Sequence, residues 1–182
     1  CWASVDQLAT HVVDCLHRTP TYVQNGLPAI RTADIVRGRL LVDQARRVSR
    51  AEYDEQTARL VPAAGDVLYS REGERFGLAA LVPAGVELCI SQRMMHFRTA
   101  PSVVHQFFMW ALNSPLGYQQ AVNDVGGSTS PHVNISSIRK FHLPLAPLVE
   151  QTELAVAIES AWAAITQLNS SANAVVESQV SE

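Results

Sequence analysis

Short apolar runs separated by turn residues make up the body of the chain, and a seven-residue repeat takes over at its end. In the body, Val12 to Leu16, Val67-Leu-Tyr-Ser70 and the stretches at 78–82 and 87–98 read as strands. Ala29 to Ile35 alternates apolar with polar residues, and Arg37-Gly38 turns it back along Arg39–Val42. His17 to Pro28 holds Pro20, Asn25-Gly26 and Pro28, so it reads as a loop, as does the charged segment Arg71 to Gly77. Ser4-Val-Asp-Gln7 and Ser49-Arg-Ala-Glu52 are capping-box patterns. They predict a short helix after Ser4 and another reaching about Leu60, where Pro62 stops it. Thr99 with Pro101 predicts a helix to about Asn113, and Leu116 to Val125 a further one closed by Gly126-Gly127. Ile135 to Phe141 reads as a short helix or turn, and His142 to Leu145 as a brief extended piece.

From Val149 the period changes. Leu154, Ile158, Ala161, Ile165, Leu168, Ala172 and Val175 follow one another at alternating steps of four and three. That 3.5-residue period is a coiled-coil seam. A helix of about thirty residues is roughly 45 Å long and cannot bury one stripe against a compact domain over its whole length. The fold class expected is therefore α+β: a compact mixed domain over residues 1–146, then a long C-terminal helix over 147–182 that forms a coiled coil. Trp162 lies beside the seam, placed to pack on a partner helix or another subunit.

Charge changes the picture of the body. The net charge of the 182 residues is −3, but five acids and no Lys or Arg lie in residues 146–182. The remainder carries 14 basic against 12 acidic groups, and residues 18–50 hold seven arginines against Asp34 and Asp43. All the basic residues but Lys140 are arginine. A guanidinium is a planar fork that suits phosphates and the guanine edge; a GC-rich coding sequence would give the same bias. The three cysteines are scattered, which argues against a disulfide framework. No apolar run approaches the eighteen or so residues of a membrane span, and no secretion signal opens the chain. A reducing cytoplasm is the expected compartment.

Catalytic signatures are scarce. The sequence holds no phosphate-binding G-x-x-x-x-G-K-[ST], no H-E-x-x-H and no C-x-x-C. Lys140 has no acid in the ten residues before it, unlike the carboxylate-and-lysine cluster of a metal-dependent nuclease. Asp14-Cys15-x-His17 is the one combination that could hold a metal or serve as a nucleophile pair, since on a strand Cys15 and His17 would share a face. A buried Cys and a loop His is the other reading of it.

Five runs in order carry a resemblance. They are Asp14-Cys-x-His17 with Thr19-Pro20, Gly26-Leu-Pro28, Ile30-Arg-Thr32 and Asp34-Ile35; Gly65-Asp-Val-Leu-Tyr-Ser-Arg-Glu-Gly73; Gln92-Arg93; Leu112-Asn-Ser-Pro115 with Gly127-Ser-Thr129 and His132-Val-Asn-Ile135; and Leu143-Pro-Leu-Ala-Pro-Leu148 with Glu150-Gln151. Together the chain resembles the target-recognition domain and spacer helix of a type I restriction–modification specificity subunit. The resemblance implies a protein that binds double-stranded DNA, performs no chemistry, and directs a methyltransferase subunit and a restriction/translocase subunit to a target. S-adenosylmethionine, ATP and Mg are then expected only in those partners. Such subunits usually carry two recognition domains and two antiparallel spacer helices, whereas this sequence holds one of each. It resembles half a subunit, either a natural half that forms a homodimer through the helix or a fragment of a longer chain. A stand-alone dimeric DNA-binding regulator and a hydrolase using Cys15 are the competing classes.

On the DNA reading, the candidate contacts are Arg31 and Thr32 beside a strand, Arg71 and Arg75 in the charged loop, and Gln92 and Arg93 within a strand. Ser128 and Thr129 offer hydroxyls to phosphates, His132 and Asn134 suit a base edge, and Arg139 and Lys140 add charge. Arg71 is read as a DNA contact and Arg93 as an ion-pair partner; Glu72 and Glu74 are the nearest acids. The partner-helix set is Leu154, Ile158, Ala161, Trp162, Ile165, Leu168, Ala172 and Val175.

Overall fold

The computed structural model describes residues 1–125 and 131–180, the last stretch 173–180 by backbone only. Its centre is an antiparallel sheet of β2 (Ala9–Asp14), β11 (Met94–Thr99), β8 (Val67–Ser70) and β9 (Ala79–Leu81), in that spatial order. Side chains alternate across a strand, and here both faces are covered. Val67, Tyr69, Met95 and Phe97 face one apolar cluster, with α3 (His105–Asn113) packed over it. Leu68, Ala80 and Met94 face a second cluster with Ile30, Ile35, Leu88 and Ile90. That double burial is why Val67 to Ser70 reads as an unbroken apolar run.

The second cluster is closed by a mixed sheet of β10 (Cys89–Ile90), β4 (Leu27–Ile30), β7 (Arg46–Val48) and β3 (Tyr22–Val23). A hairpin of β5 (Ile35–Val36) and β6 (Arg39–Leu40) turns at Arg37-Gly38. Gly38 has φ +80° there, and a Cβ would lie 3.0 Å from the Trp110 ring, so the turn needs glycine on both counts. The short β1 (Trp2–Ser4) pairs with β12 (His142–Pro144), bringing the start of the chain against the base of the long helix.

Helix α1 (Val5–Leu8) carries the expected capping box at Ser4 and Gln7. Helix α2 (Arg50–Gln56) is capped by Ser49 but ends well before Leu60. Helix α4 (Pro115–Val125) and α5 (Ile135–Arg139) lie where the sequence predicts them. Gly126 and Gly127 fall outside the described residues.

Four expectations are corrected. The first strand ends at Asp14, so Cys15 and His17 do not share a strand face. The strand expected over Ala29–Ile35 breaks at Arg31, whose guanidinium and backbone N–H both bond the Asp34 carboxylate and fold Thr32–Asp34 into a 3-10 turn. The run 87–98 is two strands in two different sheets, because Arg93 adopts φ 72° and reverses the chain. Helix α3 starts at His105 rather than after Thr99, because the N–H of Val104 is capped from a distance by Gln151.

Helix α6 (Leu148–Val180) is the long helix. Its first two turns are built into the domain. Gln151 is 1% exposed, and its amide accepts from Val104 N–H at 2.8 Å and donates to Ala146 at 2.8 Å and Ser102 at 3.1 Å. Ala155 is buried one turn further on. Beyond it the helix stands off, with Leu154, Ile158, Ile165 and Leu168 exposed at 46%, 38%, 48% and 69%. Ala161 and Ala172 are exposed as well. Among the described residues no second helix covers this seam. Val175 lies where only the backbone is described. Trp162, 37% exposed, also has a contact within its own chain. Its ring packs 5.7 Å from that of Trp110 and under the Arg37 guanidinium, so it fastens α6 to its own domain.

Candidate nucleic-acid interface

The residues that converge come from strand ends. Where β2 ends, Cys15 donates its N–H to Met94 and its thiol accepts from the N–H of Arg93 at 3.1 Å. Burial pushes the Cys15 thiol up from its ordinary pKa, the opposite of an activated nucleophile. His17 instead pairs with Asp14 at 3.0 Å, and Asp14 also takes Arg59 at 2.6 Å. The Cys-His pair expected as the one catalytic option is therefore not assembled.

The reversal at Arg93 delivers two candidates to the end of β8. Arg71 donates its N–H to the Arg93 carbonyl, and its own carbonyl accepts from Val133 N–H. Gly73 N–H bonds Pro131, so residues 131–133 are stitched along the loop that follows β8. Three parts of the chain thus meet at one carboxylate. Glu72 meets Arg71 Nη2 at 2.9 Å, His132 Nδ1 at 2.8 Å and Arg93 Nε at 3.2 Å. His17, Arg71, Glu72, Gln92 and Arg93 line a cleft of about 180 Å³. Gln92 turns its amide oxygen to the backbone N–H of Thr19 at 2.7 Å and of Arg18 at 3.3 Å, tying the loop after His17 to the cleft wall.

Arg93 forms the ion pair expected of it, with Glu72, and burial separates the two arginines. Arg71 has a side chain 5% exposed, held by Glu72 and His132, while Arg93 is 57% exposed at the cleft rim. Gln92 and Arg93 occupy a turn, not the interior of a strand.

The other candidates lie in separate groups. Arg75 donates to the Ala33 and Ile35 carbonyls at 2.8 and 3.0 Å, and with Thr32, Ala33 and Glu74 it forms a second shallow cleft on the same loop. Arg31 is engaged by Asp34. Arg139 bonds Asp6 at 2.7 Å and the Val12 carbonyl, under β2. Lys140 is exposed beside Gln120, Asn123, Asp124 and Ser137, with the Glu72 cleft lined by none of these. Asn134 is exposed at the start of α5 and makes no side-chain cap bond. Ser128 and Thr129 fall outside the described residues. The sequence reading missed the central place of Glu72 and the inclusion of His17. The one signal for Glu72 was its position between Arg71 and Gly73 in a charged loop. Among the described residues no group of three or more His, Cys, Asp or Glu side chains is placed to hold a metal ion. None of the described helices is long and apolar enough to cross a membrane.

Comparison with known proteins places this architecture. No curated protein matches the sequence. Several solved structures share the fold, three of them as follows. One, described as the structural basis of complex assembly and conformational transition of the type I R-M system, superposes with TM-score 0.66 at 17% identity, over 92% of this chain and 39% of that one. The HsdS subunit from Thermoanaerobacter tengcongensis gives 0.60 at 17% identity, over 92% of this chain and 38% of its own. The type I restriction-modification S subunit from M. genitalium gives 0.56 at 12% identity, over 88% and 38%. This chain spans about two-fifths of the length of each. The sequence model of the type I restriction modification DNA specificity domain matches residues 17–178, nearly the whole chain, and the protein belongs to that family.

Proposed function

We propose that this chain is a sequence-specific DNA-binding module, the specificity subunit or half of one, in a type I restriction–modification complex. It performs no chemistry and sets where partner subunits act. The observation that carries the reading is the convergence of the loops after β2, β8 and β10 with residues 131–133 on one cleft, with exposed Arg93 at its rim. Loops positioned by a rigid sheet are where recognition is built, and the cleft holds two guanidiniums against one carboxylate. Arg93, Gln92, Thr32 and His132 are the proposed contacts to DNA; Asn134, Lys140, Ser128 and Thr129 extend the set.

The proposed partners are duplex DNA, a methyltransferase subunit and a restriction/translocase subunit, with S-adenosylmethionine, ATP and Mg held by the latter two. The exposed seam of α6 is the surface for a second helix, and the proposed occupant is a second copy running antiparallel. A 33-residue helix is about 50 Å long, so two heads at its ends sit roughly one and a half DNA turns apart. A twofold pair of identical heads reads an inverted repeat.

The test is selection from a pool of random duplexes with the full chain, alone and with its methyltransferase subunit. Enrichment of a short motif, repeated inversely about one and a half turns away, is expected. No enrichment in either case, with no salt-dependent binding to any duplex, would overturn the reading.

A further inference from the structure

We infer that Glu72 is a placeholder for a DNA phosphate: its carboxylate occupies the seat that a backbone phosphate takes when duplex is bound. The inference rests on the DNA-binding reading for the source of the phosphate.

Four observations point to an exchangeable anion rather than a fixed ion pair. First, one carboxylate serves three donors from three separate segments: Arg71 Nη2 at 2.9 Å, Arg93 Nε at 3.2 Å and His132 Nδ1 at 2.8 Å. A backbone phosphate carries the same single charge on two anionic oxygens as a carboxylate does, so the same donors can hold either. Second, the Arg71 Nε–H is buried and has no partner among the described residues. An unpaired donor on a charged group inside a protein is costly, and this one belongs to the wall of an open cleft. Third, the cleft has a volume of about 180 Å³. A single water needs roughly 10–15 Å³ by that measure, so an ion of several atoms fits. Fourth, Arg93 holds φ 72°, a left-handed backbone unusual for arginine, which aims its guanidinium at the rim.

Neighbouring arginines lack this character. Arg31 is clamped by its own Asp34, Arg75 by two backbone carbonyls, and Arg139 by Asp6 and a carbonyl. Around Glu72 two guanidiniums converge on one carboxylate beside a glycine, Gly73, that has nothing within 4 Å of its Cβ direction. A carboxylate in the seat keeps Arg71 and Arg93 oriented in the free protein. It also competes with every phosphate, so DNA of the wrong sequence gains little from the cleft. The correct target supplies base contacts that let the exchange go forward.

The test uses the full chain, as wild type, Glu72→Gln and Arg93→Asn, the last because Asn tolerates the left-handed backbone. Inorganic phosphate is titrated while the arginine Nε–Hε signals are followed by NMR. Saturable shifts of Arg71 and Arg93 are expected in E72Q at phosphate concentrations about tenfold below those for wild type, the scale of one charge-assisted bond freed from a competitor. A random-sequence duplex is then titrated at several salt concentrations. E72Q should bind about tenfold tighter, with a log–log salt slope steeper by about 0.9, one extra phosphate neutralised. On the motif enriched by selection, where the exchange goes forward in the wild type, R93N should bind more weakly, with a slope flatter by about 0.9. The R93N arm stands even if E72Q does not fold, because that side chain is exposed. Equal phosphate titrations in wild type and E72Q, or wild-type duplex binding whose salt slope neither variant moves, would overturn the placeholder and leave DNA recognition standing. Saturable phosphate binding with no duplex binding by any variant would overturn both.

Discussion

Replacing Gln151 with methionine tests how the long helix is held. Methionine nearly matches glutamine in length and volume, so the exchange removes hydrogen bonds without opening a cavity. Three bonds are lost at once: Val104 N–H to Oε1, and Nε2 to the Ser102 and Ala146 carbonyls. The site is buried, so water does not replace them freely. Each bond is worth about 1 kcal/mol net, and a buried backbone group left unpaired costs about 1–3 kcal/mol. Allowing for partial relaxation, the loss is about 3 kcal/mol, or roughly 6–12 °C in Tm for a domain of this size. Urea unfolding followed by tryptophan fluorescence measures it, since Trp110 and Trp162 meet where α6 leaves the domain. Hydrogen exchange at Val104 gives a local readout, because that amide has Gln151 as its acceptor. Thr152→Ala on the same turn is the control. It is exposed and bonds only back to Leu148, so it should change stability by less than about 0.5 kcal/mol. A loss under about 1 kcal/mol for Gln151→Met, with Val104 still protected, would refute the idea that one side chain welds α6 to the domain.

Three further outcomes are expected. Burial works against ionisation of Asp66, but hydrogen bonds from His96, Arg98 and the Ala63 N–H outweigh it and hold the carboxyl well below the usual range. Its stabilisation is complete above the unfolded value near 4 and is lost as pH falls below it, so the acid limb of an unfolding pH profile should flatten in Asp66→Asn. Thiol titration of the native protein should find Cys1 alone reactive, with Cys15 and Cys89 appearing only in denaturant; burial raises both inner thiols, Cys89 to about 12. Ile165→Ser with Leu168→Ser, both exposed in the single chain, should convert a dimer to a monomer in light scattering and remove the concentration dependence of the unfolding midpoint.

What was legible in the sequence followed burial. Val67 to Ser70 is sandwiched between two apolar clusters, so its pattern survives in one dimension. The α6 seam is exposed and was legible for a different reason, since its period belongs to the helix itself. What was not legible depended on residues far apart in the chain. The start of α3 is decided by Gln151, and the break at Arg93 by the thiol of Cys15 and the carbonyl contact from Arg71. No local propensity records either, and Met94 and Met95 after Arg93 look like a continuation of the run from Glu87. The site was half legible for the same reason. Arg71, Gln92, Arg93 and His132 could be singled out by type, but which of them is buried depends on how residues 131–133 lie along the loop after β8. The family motif ending in Glu150-Gln151 was visible as a string; its work as a distant helix cap was not.

The hairpin β5–β6 joins the two ends of the proposed function. Arg75, on the loop that carries Glu72, bonds the Ile35 carbonyl in β5. Two residues on, Arg37 at the hairpin turn lies over the Trp162 ring of α6, which also packs on Trp110. Gly38 lets the turn approach Trp110 closely and bonds Ala79 in the central sheet. A continuous path of direct contacts therefore runs from the recognition loop to the helix that measures distance. Packed contacts of this kind do not deform gradually, so the orientation of α6 and the placing of the loop are set together. For a module whose target has two separated halves, this matters more than affinity. Between Trp162 and Val180 the helix runs about 27 Å, so an error of about five degrees where α6 leaves the domain grows to about 2 Å, a sizeable part of the ~3.4 Å between neighbouring base pairs. The weld at Gln151 and the Trp162–Trp110–Arg37 contact fix that angle at two points of α6, three turns apart, and so set the direction of the seam beyond Trp162.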